Sequence, residues 1–230
     1  MADTFWRRPA YEGHYPTETG AIFTPPTRRA AYEAAKRALD MAAAGLGLVM
    51  LLPLLPLMAL IIRLDSAGPV LFSQTRVGRK GREFRCWKLR SMYIDAEARK
   101  AELEQHNEMS GGVIFKIKRD PRITRVGRFI RKASIDELPQ LWNVLTGDMS
   151  LVGPRPAVPA EVAQYTPHER GRLAVKPGIT CLWQISGRSD LDFEQQVNLD
   201  VQYARQRSMG LDLEILLRTV PAVLLAKGAY

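Results

Sequence analysis

The chain has 230 residues, with 33 Lys or Arg against 24 Asp or Glu, which leaves a formal net charge of +9. This length allows one good-sized core with appendages, and the basic excess favours an anionic partner such as nucleic acid, acidic lipid headgroups or a phosphorylated substrate. Cys86 and Cys181 form no metal or redox motif and are predicted to be small core residues. The three scattered histidines argue against a histidine metal site.

A long apolar segment follows an irregular N-terminal stretch. Residues 1–30 are rich in Pro, Thr and Arg without a sustained period, which predicts a flexible arm. No charged residue lies between Met41 and Ile62, and this segment exceeds the roughly 20 residues that a helix needs to cross a bilayer. Pro53 and Pro56 should bend the helix sharply in mid-segment.

Basic residues flank the apolar segment on both sides, and they set its predicted topology. The positive-inside rule places a basic flank on the cytoplasmic side, and here both flanks require it. A helix that enters the membrane, breaks at the prolines and returns satisfies both, so residues 31–63 are predicted to form a re-entrant hairpin. A kinked single span and a buried soluble helix are the alternatives. Asp40 is expected to pair with Lys36 and Arg37, one turn earlier.

Residues 64–230 are predicted to form one cytoplasmic domain of mixed α/β, helix-rich class, with a small sheet, surrounding helices and interfacial amphipathic helices. The helix at Leu211–Ala226 could pack on the core or lie in the membrane interface. Gly78 and Gly81 mark a turn between the first two strands. The expected strands are Pro69–Ser73, Glu83–Arg90, Val113–Lys118 and 179–185, and the expected helices are Ile94–His106, Thr124–Lys132, Ile135–Leu145, Leu191–Arg207 and Leu211–Ala226.

An adjacent pair of acids, Asp136 and Glu137, stands among basic residues that include Arg131 and Arg155. Carboxylates can hold a divalent cation or attack phosphorus, and arginine binds phosphate oxygens in a bidentate fork. The pair therefore suits metal-assisted phosphoryl transfer. A second interpretation is a capping box, with Ser134 as the N-cap and Glu137 as its partner. The two interpretations are compatible, because a helix N-terminus is itself an anion site.

Further arginines are candidates for anion binding. Arg155 lies in the proline-rich segment Val152–Pro159, which predicts a rigid loop that fixes its direction, with a simple linker as the alternative. A Ser-Gly-Arg turn could present Arg188 to a ligand. For Arg125 and Arg128, on one face of a predicted helix, a solvated face is favoured. No P-loop, GxGxxG or GxSxG motif occurs, so phosphate chemistry must use side chains.

Taken together, these residues make the chain closely similar to the bacterial sugar transferases, the monotopic polyprenyl-phosphate phosphoglycosyl transferases. The resemblance extends from about Lys36 to the C-terminus and is strongest to exopolysaccharide-initiating members. The matching blocks occur in one order: KRALD at 36–40, the proline-broken helix, GPVLFSQTRVG at 68–78, KLRSM at 88–92, RITRVGRFIRKASIDELPQLWNVLTGDMSLVGPRP at 122–156 and PGITCLWQISGR at 177–188.

The resemblance implies an activity. Members transfer a sugar 1-phosphate from a nucleotide diphosphate sugar to a polyprenyl phosphate, release the nucleoside monophosphate and require Mg²⁺. For this chain it implies a transferase at the cytoplasmic face of the bacterial inner membrane, among membrane lipids, at the first step of exopolysaccharide synthesis. The expected substrates are undecaprenyl phosphate and a UDP-sugar of galactose or glucose. No nucleic-acid partner is expected, and a homodimer is one option for its assembly.

The resemblance also implies residue roles. Asp136 matches the nucleophile that forms a covalent phosphosugar intermediate, and it is a Mg²⁺ ligand; Glu137 supports the metal or the second step. Beside arginine at a helix N-terminus, Asp136 is expected to stay ionised at neutral pH. The other matches are basic and are predicted to bind substrate: Arg131 and Arg155 at the phosphates, Arg188 at the nucleotide sugar, and Lys88 and Arg90 of the KLRSM block.

One position departs from the family pattern, which often has Ser-Pro at the helix break. Here Leu52 precedes Pro53, and Pro56 could enforce the bend in place of the serine. A competing hypothesis follows from the charge of +9: a membrane-anchored basic module that binds nucleic acid or lipid. The sequence lacks a recognised nucleic-acid fold signature.

Overall fold

A computed structural model describes residues 26–103, 117, 119–187 and 191–225. These residues form a helix-rich mixed α/β structure with two small two-stranded sheets, as predicted. The helices are α1 (Pro26–Leu51), α2 (Leu55–Asp65), α3 (Lys100–Leu103), α4 (Arg125–Lys132), α5 (Gln140–Thr146), α6 (Pro159–Ala163), α7 (Leu182–Ser186), α8 (Phe193–Gln206) and α9 (Met209–Leu225). The strands are β1 (Leu71–Val77), β2 (Glu83–Leu89), β3 (Ser150–Val152) and β4 (Gly178–Thr180).

A 3₁₀ turn, Leu52–Leu54, joins α1 to α2 at the predicted break. Pro53 and Pro56 each lie at one of the first two positions of a new helical segment, where a missing amide hydrogen leaves no bond unmade. By length and composition alone, Arg29–Asp65 could cross a membrane, and only 11% of its most apolar window is buried. The structure therefore contains an apolar N-terminal helix interrupted at its prolines.

The N-terminal half of this helix is anchored by Asp40, but not to the predicted partners. Asp40 Oδ1 accepts hydrogen bonds from Ser150 Oγ at 3.1 Å and from the Leu151 amide at 2.9 Å. The predicted pairing with Lys36 and Arg37 is wrong, because those side chains reach α9 and the last carbonyls of α5 instead. A charge buried at 4% exposure takes the partners that the packed domain offers.

The far end of the apolar helix is anchored to the same domain. Asp65 Oδ2 accepts a hydrogen bond from the Val126 amide at 3.0 Å, at the start of α4. Ile62 packs in a buried cluster with Leu89 and Ile130. Both ends of the helix are thus joined by hydrogen bonds and packing to one folded body.

The predicted strand pair is an antiparallel hairpin. Strands β1 and β2 pair from Leu71 opposite Leu89 to Val77 opposite Glu83, and a tight turn at residues 78–82 connects them. Alternation along each strand places Arg76, Cys86 and Lys88 on one face. The hairpin therefore presents two cations on the same surface.

A parallel pair at the centre of the domain was predicted only in part. Strand β4 pairs with β3 through Gly178 and Thr180 only, and Leu182–Ser186 forms α7, so the strand predicted at 179–185 is wrong beyond Thr180. Helical geometry turns Ile185 into the core formed with α8 and α9, which the local apolar pattern could not reveal.

Other predicted elements are recovered near their expected bounds. Thr124 caps α4 by accepting from the Gly127 amide, and Gly147 ends α5 with a left-handed φ of 90°. Both cysteines are free and buried, as predicted. Of the helix predicted at Ile94–His106, only Lys100–Leu103 is helical among the described residues. The strand predicted at Val113–Lys118 and the arm at 1–30 lie largely outside the described residues.

Candidate active site

The acid pair lies in a single 3₁₀ turn, Ile135–Glu137, that connects α4 to α5. Ser134, at its start, adopts a left-handed φ of 56° and makes no side-chain cap bond. The predicted capping box is therefore wrong, because Glu137 turns to other partners and α5 begins only at Gln140. The two acids therefore face side chains from other elements, and they do not occupy the first turn of a long helix.

Glu137 is the anchor of an ion-pair cluster. Its Oε1 accepts from Lys88 Nζ at 2.8 Å and from Arg155 Nη1 at 3.0 Å. Burial would raise the pKa of the Glu137 carboxyl, but the charges of Lys88 and Arg155 outweigh it and hold that pKa well below its usual value. Glu137 is therefore ionised, and it sets the directions of two cations.

Asp136 has a different environment from its neighbour. The residue is 5% exposed, and its carboxylate accepts no hydrogen bond from any residue in the part of the chain that the structure describes. Burial raises the pKa of the Asp136 carboxyl, against the attraction of Lys88, and the adjacent charge of Glu137 raises it further. Asp136 is therefore harder to ionise than an exposed aspartate, and the expectation that it stays ionised at neutral pH remains a prediction. A nearly buried carboxylate without a donor is available to a cation or an electrophile.

The predicted basic residues separate into two groups. Lys88 and Arg155 meet at the acid pair, and the charge of Arg131, half-buried in the last turn of α4, acts to lower the pKa of the Asp136 carboxyl. Arg90 lies elsewhere, because its guanidinium donates to the carbonyls of Ser66 and Ala67 at the end of α2. Arg188 lies outside the described residues.

A small, partly open cleft adjoins Glu137. The sequence-based set of site residues missed one cation in it, Arg76, although the strand alternation that places Arg76 on the face of Lys88 could have identified it. The cleft is lined by Arg76, Cys86, Lys88, Glu137, Gln140, Arg155, Pro156, Gly178 and Ile179.

The site offers few ligands to a metal ion. No group of three or more His, Cys, Asp or Glu side chains suited to a metal occurs in the described ranges. Mg²⁺, however, usually binds through one or two carboxylates together with substrate phosphates and water. The donor-free carboxylate of Asp136 fits that mode of binding, with the cations alongside to hold the phosphates.

Comparisons with known proteins agree with this chemistry. A model described as bacterial sugar transferase matches residues 31–226. The chain is 52% identical over 196 residues to the galactosyl transferase CpsE of Streptococcus agalactiae serotype III, covering 85% of this chain and 43% of that protein. It is 43% identical over 198 residues to the undecaprenyl-phosphate galactose phosphotransferase of Salmonella typhimurium, covering 85% and 41%.

A relative of similar length also matches. The chain is 38% identical over 218 residues to the exopolysaccharide production protein ExoY of Rhizobium meliloti, covering 94% of each. By contrast, the chain spans only about two fifths of the length of the CpsE and Salmonella proteins. The similarity covers the acid pair, both ends of the apolar helix and the cleft.

Proposed function

The chain belongs to the bacterial sugar transferase family, and on that premise we propose that it transfers a sugar 1-phosphate from a UDP-sugar to undecaprenyl phosphate and releases UMP. Galactose and glucose are the sugars in the names of its relatives. The observation that carries the proposal is the nearly buried carboxylate of Asp136, which accepts no hydrogen bond from the described residues and lies beside the cluster of Lys88, Arg155 and Glu137. The alternative of a nucleic-acid-binding module does not account for this carboxylate, because a negative charge repels the phosphates of nucleic acid.

In the first step, an Asp136 carboxylate oxygen attacks the phosphorus that bears the sugar. A phosphorus–oxygen bond forms to Asp136, the bond to the oxygen of the UMP phosphate breaks, and UMP leaves with that electron pair. Lys88 and Arg155 bind the oxygens of the diphosphate and oppose the repulsion between two anions. Glu137 acts indirectly, because it holds both cations in place.

In the second step, a phosphate oxygen of undecaprenyl phosphate attacks the same phosphorus. The bond to Asp136 breaks, the carboxylate is regenerated, and the product is undecaprenyl diphosphate sugar. The division of labour between the acids supports Asp136 as the nucleophile, since Glu137 is already bonded to two cations.

We also propose Mg²⁺ as the cofactor, with Asp136 as its protein ligand. When bound, the ion would neutralise charge on the diphosphate. Asp136 would need substrate phosphate oxygens and water to complete the coordination, since the described residues offer no further carboxylate that is free of partners at the site.

The proposed location is the cytoplasmic face of the inner membrane, with the apolar helix re-entrant. Gly47 packs against Leu141 of α5, and Ile62 packs in the core of the same domain. Even a straight helix would cover only about 22 Å between these two residues, which is less than the hydrocarbon thickness of about 30 Å. Two ends anchored to one domain therefore favour entry and return over a single crossing.

Exposed apolar side chains support contact with lipid. Several lie along the apolar helix, and others lie on α4, α5 and α9, which surround it. They are Leu46, Val49, Met50, Leu57, Leu60, Ile61 and Leu64 on the helix, and Phe129, Trp142, Leu213, Leu217 and Val220 on the domain. A surface of this kind suits the membrane interface, where the polyprenyl carrier resides.

Replacement of Asp136 tests the reaction. The measurement is UMP release from a panel of UDP-sugars with undecaprenyl phosphate, together with detection of the phosphosugar adduct by mass spectrometry. Asp136→Asn should reduce UMP release by at least about a thousandfold and abolish the adduct. Asp95→Asn, at an exposed position of the same domain, should retain normal turnover. Near-normal UMP release by Asp136→Asn would disprove the mechanism.

A further inference from the structure

The loop that carries Arg155 is fixed by an unusual set of contacts. Each carbonyl of the four consecutive residues Pro154–Ala157 accepts a hydrogen bond, and the four donors come from three separate parts of the chain. The donors are the Gly178 amide to Pro154 at 2.9 Å, Arg172 Nη2 to Arg155 at 3.4 Å, Arg76 Nη1 to Pro156 at 2.9 Å and the Val77 amide to Ala157 at 2.8 Å.

The composition of the loop explains why its carbonyls matter. Pro154 and Pro156 have no amide hydrogen, so they cannot anchor the loop by donating. Their rings fix φ near −65°, which leaves rotation about ψ as the main backbone freedom. A hydrogen bond to a proline carbonyl fixes the rotation about ψ. The direction of the Arg155 side chain depends on that rotation in the flanking prolines.

Arg76 is the side-chain donor closest to the site. Its Nη1 donates to Pro156, and its Nη2 donates to Gln74 Oε1 at 2.6 Å, so the guanidinium is held at both ends. It stands on the same face of the hairpin as Lys88 and lines the same cleft as Arg155. Nothing in the mechanism above requires Arg76 to touch the substrate.

We propose that Arg76 is a positioning residue for the transfer reaction and acts through Arg155; this rests on the proposed function. By holding the Pro156 carbonyl, Arg76 orients the guanidinium of Arg155 toward Glu137 and the diphosphate. Arg172 also donates to this loop, but its guanidinium is paired with the buried carboxylate of Asp200 at 2.5 Å. Removing Arg172 would leave a buried charge unpaired, whereas Arg76 can be replaced with less damage.

A double-mutant cycle tests the proposal. The enzymes are wild type, Arg76→Met, Arg155→Met and the double variant, and the measurement is the initial rate of UMP release at varied UDP-sugar, with substrate in excess over enzyme. Arg76→Met should lower kcat/KM about 10- to 100-fold, mainly through KM. In the Arg155→Met background it should change kcat/KM less than about twofold. A comparable loss in both backgrounds, or no loss in the first, would overturn the proposal.

Two further variants keep the result interpretable. Arg85→Met alters an exposed arginine on the other face of the same hairpin and should leave kcat/KM unchanged. If Arg76→Met does not fold, Gln74→Leu removes the acceptor that holds Nη2 and should raise KM a few-fold, again only while Arg155 is present. Asp136→Asn, measured in parallel, separates the hypotheses: UMP release by that variant would refute the mechanism, whereas an additive cycle with an inactive Asp136→Asn would refute only the role of Arg76.

Discussion

Asp136 and Glu137 are adjacent in sequence, but their negative charges have opposite effects on the stability of the folded chain. Glu137 is ionised and bonded to two cations, so its charge stabilises the folded chain. Asp136 is buried, and none of the described residues donates a hydrogen bond to it, so its charge opposes folding until a ligand binds. This instability is expected if Asp136 has the proposed catalytic role, because functional sites often lower the stability of the fold.

The two acids should therefore have opposite effects on stability. The pKa of Asp136 is raised on folding, so its charge lowers the free energy of unfolding as pH rises from its ordinary pKa through the raised one. At pH 7 in EDTA, Asp136→Asn should raise the melting temperature by about 2 °C, which corresponds to a gain of up to about 1 kcal/mol. The gain should vanish below pH 4, where the Asp136 carboxyl is protonated and is as neutral as the asparagine that replaces it.

The pKa of Glu137 is depressed on folding, so the sign reverses. Its stabilisation is fully present above the ordinary pKa of a glutamate and is lost as pH falls toward the depressed value. Glu137→Gln should cost about 1–3 kcal/mol at pH 7, since two charged donors lose their counter-ion. Calorimetric scans in EDTA across pH 3–8 measure both variants, with Asp95→Asn as the flat control. Equal signs for the two variants would contradict these environments.

For individual residues, the sequence predicted which side chains form the candidate site better than it predicted their bonding partners. The acid pair, Lys88 and Arg155 were predicted, and the structure brings them together. The cap at Ser134 was wrong because the motif is local, whereas the partners of Glu137 lie far along the chain. Arg90 is basic and belongs to the same block as Lys88, but β2 ends at Leu89, and the guanidinium of Arg90 donates to the carbonyls of Ser66 and Ala67 after α2.

Among the elements, the residue after β3 and the first residue of β4 approach each other closely beside the loop that carries Arg155. A Cβ added to Gly178 would lie 2.6 Å from both the Gly153 oxygen and the Val152 carbonyl carbon. These are backbone atoms, which cannot rotate away as a side chain can. Only glycine permits this approach, and the amide of Gly178 holds the loop before Arg155.

Gly178→Ala should accordingly harm both stability and donor binding. Overpacking at this point should cost about 1–3 kcal/mol or more, and displacement of Pro154 should raise KM for the UDP-sugar. Gly210→Ala is the matched control, because nothing lies within 4 Å of its added methyl group on α9, and it should be neutral or stabilising by up to about 1 kcal/mol. Thermal unfolding and UMP-release assays compare them. Equal stability and equal KM of the two variants would contradict the close approach of Gly153 and Gly178.

Elements defined by local chemistry were predictable, and those defined by tertiary packing were not. The β1–β2 hairpin follows from alternating side chains and a glycine turn. The segment at residues 179–185 has the β-branched and aromatic residues of a strand, yet its second half is α7, since only the first residues find a partner in β3. The sequence of residues 179–185 alone cannot predict that the neighbouring strand β3 is only three residues long.

For the whole molecule, the relation between the apolar helix and the domain carries the functional consequence. The chain bonds to itself at Asp40 and Asp65, on either side of the apolar stretch, through amides of two different elements. Under the proposed topology, this arrangement would place the site near the membrane surface, where a polyprenyl phosphate presents its headgroup. The return of the helix, inferred from its basic flanks, stays a prediction, and the anchors at Asp40 and Asp65 depend on contacts that are distant in the chain.

Thiol labelling tests the re-entrant topology. Arg29→Cys and Arg82→Cys place exposed thiols before and after the apolar stretch, and the native Cys86 and Cys181 are buried and should react little. In inverted membrane vesicles both introduced thiols should react with a membrane-impermeant maleimide, and in intact spheroplasts neither should. A single crossing would instead make Arg29→Cys reactive only in spheroplasts. Because Arg82 belongs to the hairpin that bears Lys88, its labelling also reports the side on which the proposed chemistry occurs.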